Sequence, residues 1–223
     1  AINTACLIAL AGIVSRYFKD NTRHNLIGLV ALGNVGLWIS LYYGTADLLA
    51  TTFLVGAFLA WKEQRPFVLG LCLSLACLTR ETILLITAVF IFAAIYERKT
   101  AALKHLAWCW LPAVLWNLYT VYYLPEQSSS SGLAENFGPP FVGIVQKLQE
   151  LFSKRFNYEF YSFSLLLFTF IVLAANIKNL VEKHKVITGG VILYCVLFAL
   201  SRVQILNWYV SYNRVFADVY LLL

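Results

Sequence analysis

Methionine is absent from all 223 residues, and charged side chains make up only 13% of them. Soluble domains carry about 25% charged residues. That scarcity, beside 61% hydrophobic residues and a mean hydropathy of +0.74, excludes an ordinary soluble domain and points to an integral membrane protein. Acidic residues are outnumbered by lysine and arginine, 11 to 17. The basic residues lie in short connections between apolar runs, a pattern that orients a membrane protein and does not build a nucleic-acid surface. There is no Asn-x-Ser/Thr sequon, so nothing marks a glycosylated lumenal face. Cys6, Cys72, Cys77, Cys109 and Cys195 all lie inside apolar runs and none stands at metal-ligand spacing with a histidine. They read as small buried side chains, not as a disulfide framework or a metal site. His24, His105 and His184 sit in or beside basic connections without an acidic or cysteine partner at ligand spacing, and are expected to be solvated.

What is present is a succession of apolar runs. Spans are expected over 1–18, 26–43, 48–61, 102–124, 158–177 and 186–200, with a last one starting near 215 and the run 67–96 between them. Pro112 predicts a kink in the 102–124 span. The expected fold is all-α: a polytopic transmembrane helical bundle forming one domain over 1–223, with one interfacial amphipathic helix. No internal repeat is evident. Residues 1–18 lack a basic n-region and Ser15-Arg16 is a poor cleavage context, so they read as a span and not as a signal peptide. Both ends fall inside apolar segments, which leads to the expectation of a longer protein truncated at each end.

The run 67–96 carries the most informative stretch, Leu78-Thr79-Arg80-Glu81. A charge in such a run costs about 2.5–3.5 kcal/mol on insertion scales and normally faces a bundle interior or a wet cavity. Neighbouring residues on a helix do not face each other, so Arg80 and Glu81 are expected to pair elsewhere. The run is either one long tilted helix or two segments meeting at Thr79–Glu81. Reversal at that point places Lys19/Arg23, Lys62/Arg65, Arg98/Lys99/Lys104 and Lys178/Lys183/Lys185 on one side of the membrane, as the positive-inside rule favours. A broken backbone at that depth must be buried in protein or line a wet cavity.

Composition changes at 125–140, where Ser128–Ser131 and Pro139-Pro140 read as a flexible loop. Over 141–156, Phe141, Ile144, Val145, Leu148, Leu151 and Phe152 recur on one helical face, opposite Lys147, Gln149, Glu150, Ser153 and Lys154. The reading is an outer loop, 125–157, containing a helix that lies on the membrane surface. Residues 201–218 mix aromatic and polar groups, among them Trp208, Tyr209, Tyr212, Asn213, Arg214 and Asp218. With the reversal, Asp47, the Arg80 break, the surface helix and 207–214 all fall on the face opposite the basic connections. Asp47 also reads as a simple N-cap, Arg214 as a snorkelling cation and the aromatics as an interface belt.

These residues resemble glycosyltransferases of the GT-C fold that use polyprenyl-phosphate sugars, a group including protein mannosyltransferases and lipid A aminoarabinose transferases. The similarity lies in Asp47 opening a span, the basic turn 62–66, Gly70–Leu78 ending in Leu78-Thr79-Arg80-Glu81, and Tyr212-Asn213-Arg214-Val215-Phe216 entering a late span. The resemblance implies sugar transfer from a lipid phosphate to an acceptor at the outer face, in a bacterial inner membrane. It implies phosphate contacts from Arg80 and Arg214, support from Asp47 and Glu81, and sugar stacking by Tyr212 and Trp208. The principal carboxylate of the family would lie upstream of Ala1. A divalent metal is compatible with this chemistry, but no residue set here points to one. The implied partners are the bilayer, the lipid-linked sugar and other membrane subunits, with no nucleic acid. Two alternatives stand beside it: a non-catalytic scaffold subunit of a larger membrane complex, and a transporter, for which no inverted-repeat partner of the broken span is found.

Overall fold

In a computed structural model the described residues, 2–19, 32–123, 136–153, 158–183 and 185–221, are helical with no β-strand among them. Their contacts cluster into two compact units, Ala1–Tyr119 and Thr120–Leu223. The loop expected at 19–25, the start of the second span, and the serine-rich 125–135 lie, in all but Lys19, outside the described residues.

The first unit holds α1 (Ile2–Phe18), α2 (Val35–Tyr43), α3 (Asp47–Lys62), α4 (Pro66–Thr79), α5 (Ile83–Tyr96), α6 (Thr100–Leu106) and most of α7 (Leu111–Tyr123). Asn34 caps α2 by accepting from the Gly36 amide at 2.9 Å. α2, α3 and α5 all end in a left-handed residue, Gly44, Gln64 and Arg98. In each, the following amide reaches back to the last turn: Thr45 to the Ser40 carbonyl (3.0 Å), Arg65 to Ala60 (2.9 Å) and Lys99 to Ala94 (2.9 Å). That is the Schellman stop, which satisfies carbonyls the helix leaves open.

α1 and α3 run parallel. Asn3 Nδ2 donates to the Thr45 carbonyl at 3.3 Å, the Thr52 hydroxyl to the Cys6 carbonyl at 3.3 Å, and Lys62 Nζ to the Tyr17 carbonyl at 2.5 Å. α3 and α4 fold back on each other about Pro66, which sits in the first turn of α4, where its missing N–H costs nothing. The run 67–96 then reverses again. α4 stops at Thr79, Arg80 is extended (φ −157°, ψ 117°), and α5 starts at Ile83. Cys77 and Thr87 meet across the turn at 3.3 Å, and Phe90 reaches Phe58 and Trp61 at 5.1 and 5.7 Å. Arg16, Lys62, Arg65, Arg98 and Lys99 therefore gather at one end of the unit, with Asn3, Asp47 and Arg80 at the other.

Two expectations fail in this unit. The 102–124 segment is not one kinked span: a turn at Ala107–Trp110 separates α6 from α7, and Pro112 is the second residue of α7, again where no N–H is required. His105 is not solvated but half-buried, its ring edge-on to Phe67 at 5.9 Å. α6 lies so close on α4 that a Cβ at Gly70 would come within 2.9 Å of the His105 Cβ.

The second unit holds the rest of α7, α8 (Val142–Ser153), α9 (Tyr158–Ala175), α10 (Ile177–Lys183), α11 (Lys185–Leu200), α12 (Val203–Leu206), α13 (Tyr209–Val215) and a 3₁₀ helix at Ala217–Leu221. Among the described residues, α9 alone is long and apolar enough to cross a bilayer; α1, α4, α5 and α11 are apolar but shorter. At 1.5 Å rise, a 14-residue helix such as α4 reaches about 21 Å, against a hydrocarbon core of about 30 Å. The last span expected near 215 is not an α-helix over the described residues: α13 ends at Val215 and the chain tightens to a 3₁₀ helix. That segment runs along α9, with Tyr212 edge-on to Phe163 (5.6 Å), Phe216 to Phe170 (5.5 Å), and Asp218 accepting from the buried Tyr194 hydroxyl.

The amphipathic segment 141–156 is a helix over Val142–Ser153, with Ile144 and Leu151 of its apolar face buried and one departure from the expected facing. Lys147, assigned to the polar face, is fully buried, while Phe141, Val145 and Phe152 on the apolar face are exposed. The reason is a contact between stretches distant in sequence. Residues 136–141 are laced to 199–202, with the Gly138 amide on the Leu200 carbonyl at 2.9 Å and the Arg202 amide on the Asn136 carbonyl at 2.9 Å. α8 is thereby pressed down at Gly143, where a Cβ would lie 2.1 Å from the Ser201 oxygen. That contact turns Lys147 inward, where its ammonium donates to Glu159 (2.6 Å), the Asn207 carbonyl (2.8 Å) and Glu150 (3.4 Å). All three of its protons are used, which is what a buried ammonium requires.

Replacing Lys147 with alanine strips two partly buried carboxylates of their counter-ion; breaking a fully buried pair costs about 3–5 kcal/mol, and partial exposure of Glu150 and Glu159 places this break toward or below the lower end. Thermal unfolding in detergent is expected to show a large drop for Lys147→Ala, and a smaller one for Lys147→Met with Glu159→Gln, which removes both charges of the closest pair and leaves the more exposed Glu150. Equal losses would contradict the hub role.

Candidate functional site

The polar groups singled out in the sequence divide between the units. Asp47, Arg80 and Glu81 lie in the first; Tyr212 and Arg214 lie in the second.

Asp47 is not an N-cap. Ala46 holds that position without a side-chain bond, and Asp47 is the first helical residue of α3. Its carboxylate is still favoured there by the helix dipole. Arg80 sits just past the C-terminus of α4, where the same dipole favours a cation. The α3–α4 hairpin brings these two ends together: Arg80 Nε lies 4.0 Å from Asp47 Oδ1, with the side chains only 10% and 16% exposed. Arg80 thus turns away from its neighbour Glu81, which is exposed.

The local sequence builds this break. The Thr79 hydroxyl donates back to the Leu75 and Ala76 carbonyls, at 3.1 and 2.8 Å, closing the last turn of α4 with its own side chain. Arg80 then extends, and the Ile83 amide returns to the Arg80 carbonyl at 3.1 Å to start α5. Two residues before Asp47 and two after Arg80, the hydroxyls of Thr45 and Thr82 are buried with no hydrogen-bond partner among the described residues. A buried hydroxyl left unpaired costs about 1–3 kcal/mol, so unpaired groups mark a place where strain is kept or a ligand is met. No sequence signal pointed to these threonines, because satisfaction of a hydroxyl depends on tertiary neighbours.

In the second unit, Tyr212 is an interior residue and not a stacking surface. It is fully buried, and its hydroxyl donates to the Glu159 carbonyl at 3.2 Å. Burial pushes its pKa above the ordinary tyrosine range, with the Glu159 charge adding to the shift and the Ser162 bond opposing it. Asn213 is likewise buried, donating to Ser162 at 2.5 Å and the Tyr209 carbonyl at 2.8 Å. Arg214 is half-buried in the last turn of α13, and Trp208 is half-exposed. Among the described residues there is no group of three or more His, Cys, Asp or Glu side chains able to hold a metal.

Asp47→Asn and Arg80→Gln are each expected to lower the unfolding midpoint, and the double variant to lose less than the two losses combined. A coupling of about 0.5–3 kcal/mol is the range for contacting residues; strict additivity would show that the pair is not formed. No protein-family model, curated protein or solved structure matches this chain, so the geometry alone carries what can be said of its function.

Proposed function

We propose that the chain is a multi-pass membrane protein and that the Asp47–Arg80 end of its first unit binds the phosphate of a lipid-linked sugar, in a transferase of the GT-C type. The membrane reading draws on the helix surfaces. On α9, Tyr161, Leu165, Phe168 and Ile171 form an exposed stripe at helical spacing, and α7 leaves Leu115, Trp116, Leu118 and Tyr122 open. Large apolar stripes of this kind suit lipid, since a soluble monomer rarely exposes contiguous apolar surface of that extent. Short helices are compatible with it where reversals are buried in protein.

One observation carries the substrate reading. A nearly buried guanidinium, held by a carboxylate and flanked in sequence by an unpaired buried hydroxyl, stands at the end of the unit opposite its basic turns. Arginine offers a planar fork matched to phosphate oxygens. A lipid phosphate leaving a sugar develops charge there, and a fixed cation in a poorly hydrated site stabilises it. Asp47 would orient the fork. The scaffold alternative draws on the same pair: an Asp47–Arg80 contact that closes the α3–α4 hairpin serves a structural role without any chemistry.

The test is turnover of a labelled polyprenyl-phosphate sugar by the protein in membranes. Arg80→Ala is expected to insert normally and to lose consumption of the labelled lipid, with Arg80→Lys recovering only part. Unchanged consumption in Arg80→Ala would remove the role assigned to it; absence of turnover by the unmodified chain would favour the scaffold reading.

A further inference from the structure

The end of the first unit opposite Arg80 holds a cavity of about 330 Å³. It opens between the two Schellman stops, at Gln64 after α3 and Arg98 after α5. Both residues lie in the left-handed region, at φ 57° and 54°, where glycine is the usual occupant. The two stops are the same device used twice. In each, a glutamate precedes the left-handed residue and pairs with the cation that follows it: Glu63 with Arg65 at 3.0 Å, Glu97 with Lys99 at 2.8 Å. Non-glycine residues in this conformation cost about 1–3 kcal/mol and persist where the surroundings over-determine them.

The cavity wall is basic. Arg65, Arg98 and Lys99 line it and no carboxylate does. Lys99 is fixed over the Trp61 ring at 4.1 Å, which holds an otherwise flexible ammonium at the wall. Among the described residues Arg98 has no ion-pair partner, and it is exposed at the same cavity. The Thr100 hydroxyl and Gln64 amide add polar groups, while Trp61 and Leu69 make an apolar side.

We infer that this cavity is a binding site for a phosphate group, distinct from the Asp47–Arg80 end. Arg98 offers a guanidinium fork that no carboxylate occupies among the described residues, and Arg65 and Lys99, each held in place by its own glutamate, stand beside it as further donors to the oxygens of a phosphate. The apolar side fits the first carbons of a lipid's acyl chains as readily as it tolerates a free phosphate, so the shared chemistry is the phosphate. The inference does not depend on the transferase reading and survives its failure.

The experiment is calorimetric titration of the detergent-purified chain, in phosphate-free buffer at low salt, with inorganic phosphate and separately with dioctanoyl phosphatidic acid. Two variants accompany it. Arg98→Gln removes a fork. Ala101→Glu places a carboxylate at the cavity in the first turn of α6, where the helix dipole tolerates it. Saturable binding of either ligand, weakened at least about tenfold in the variants, is expected; tenfold corresponds to about 1.4 kcal/mol. Binding of the lipid alone assigns a headgroup site, and binding of both assigns a phosphate site open to solutes. No saturable binding of either ligand, or affinities unchanged in two variants of wild-type helicity, would overturn the inference.

Discussion

An arginine in the middle of an apolar run has to be met by a carboxylate, and here the carboxylate comes from the start of the preceding hairpin. Asp47 opens α3 and Arg80 follows α4, so the two can approach only if the chain has already turned back at Pro66. The pair fixes the open end of the α3–α4 hairpin. With Arg80 extended and occupied, the backbone cannot continue as helix, and α5 must leave in a new direction. The reversal of α5 then delivers Phe90 to Trp61 and Arg98 to the neighbourhood of Arg65. One partly buried ion pair thus stands behind both ends of the unit: the polar end where it sits and the basic end it brings together.

The second unit solves a similar problem with a lysine. Lys147 from α8 donates both to Glu159 at the start of α9 and to the carbonyl of Asn207, which ties three separate stretches into one knot. Below it, stacked phenylalanines fill the space between α9, α11 and the returning segment, with Phe170 on Phe198 at 4.2 Å. In both units a charge that would be costly alone is accommodated by a partner from another helix, and the aromatic and aliphatic core builds around that point.

Much of this was legible in the residues. Apolar runs bounded by basic turns gave the helices, because hydrophobic length and Gly/Pro punctuation are local signals. Thr79-Arg80-Glu81 showed where the long run breaks, since charge inside such a run demands a reason. What was not legible depended on neighbours distant in sequence. Lys147 faces inward because Gly143 is seated on Ser201, and a helical wheel cannot show that contact. Tyr212 is interior because Glu159 offers its carbonyl. The turn at Ala107–Trp110 replaced the kink expected from Pro112, as a proline in a first turn starts a helix as easily as it bends one. The likeness of the two Schellman turns escaped notice because it lies in backbone conformation and charge order, with little shared sequence.

The reversal at Arg80 is open to direct measurement by cysteine labelling in oriented membrane vesicles. In a chain freed of its five native cysteines, single cysteines would replace Gln64, Glu81 and Arg98, each an exposed turn residue. A membrane-impermeant maleimide should label positions 64 and 98 from the same side and position 81 only from the other. Labelling of 64 and 98 from opposite sides would mean that 67–96 crosses once, and the two ends of the first unit described here would not exist.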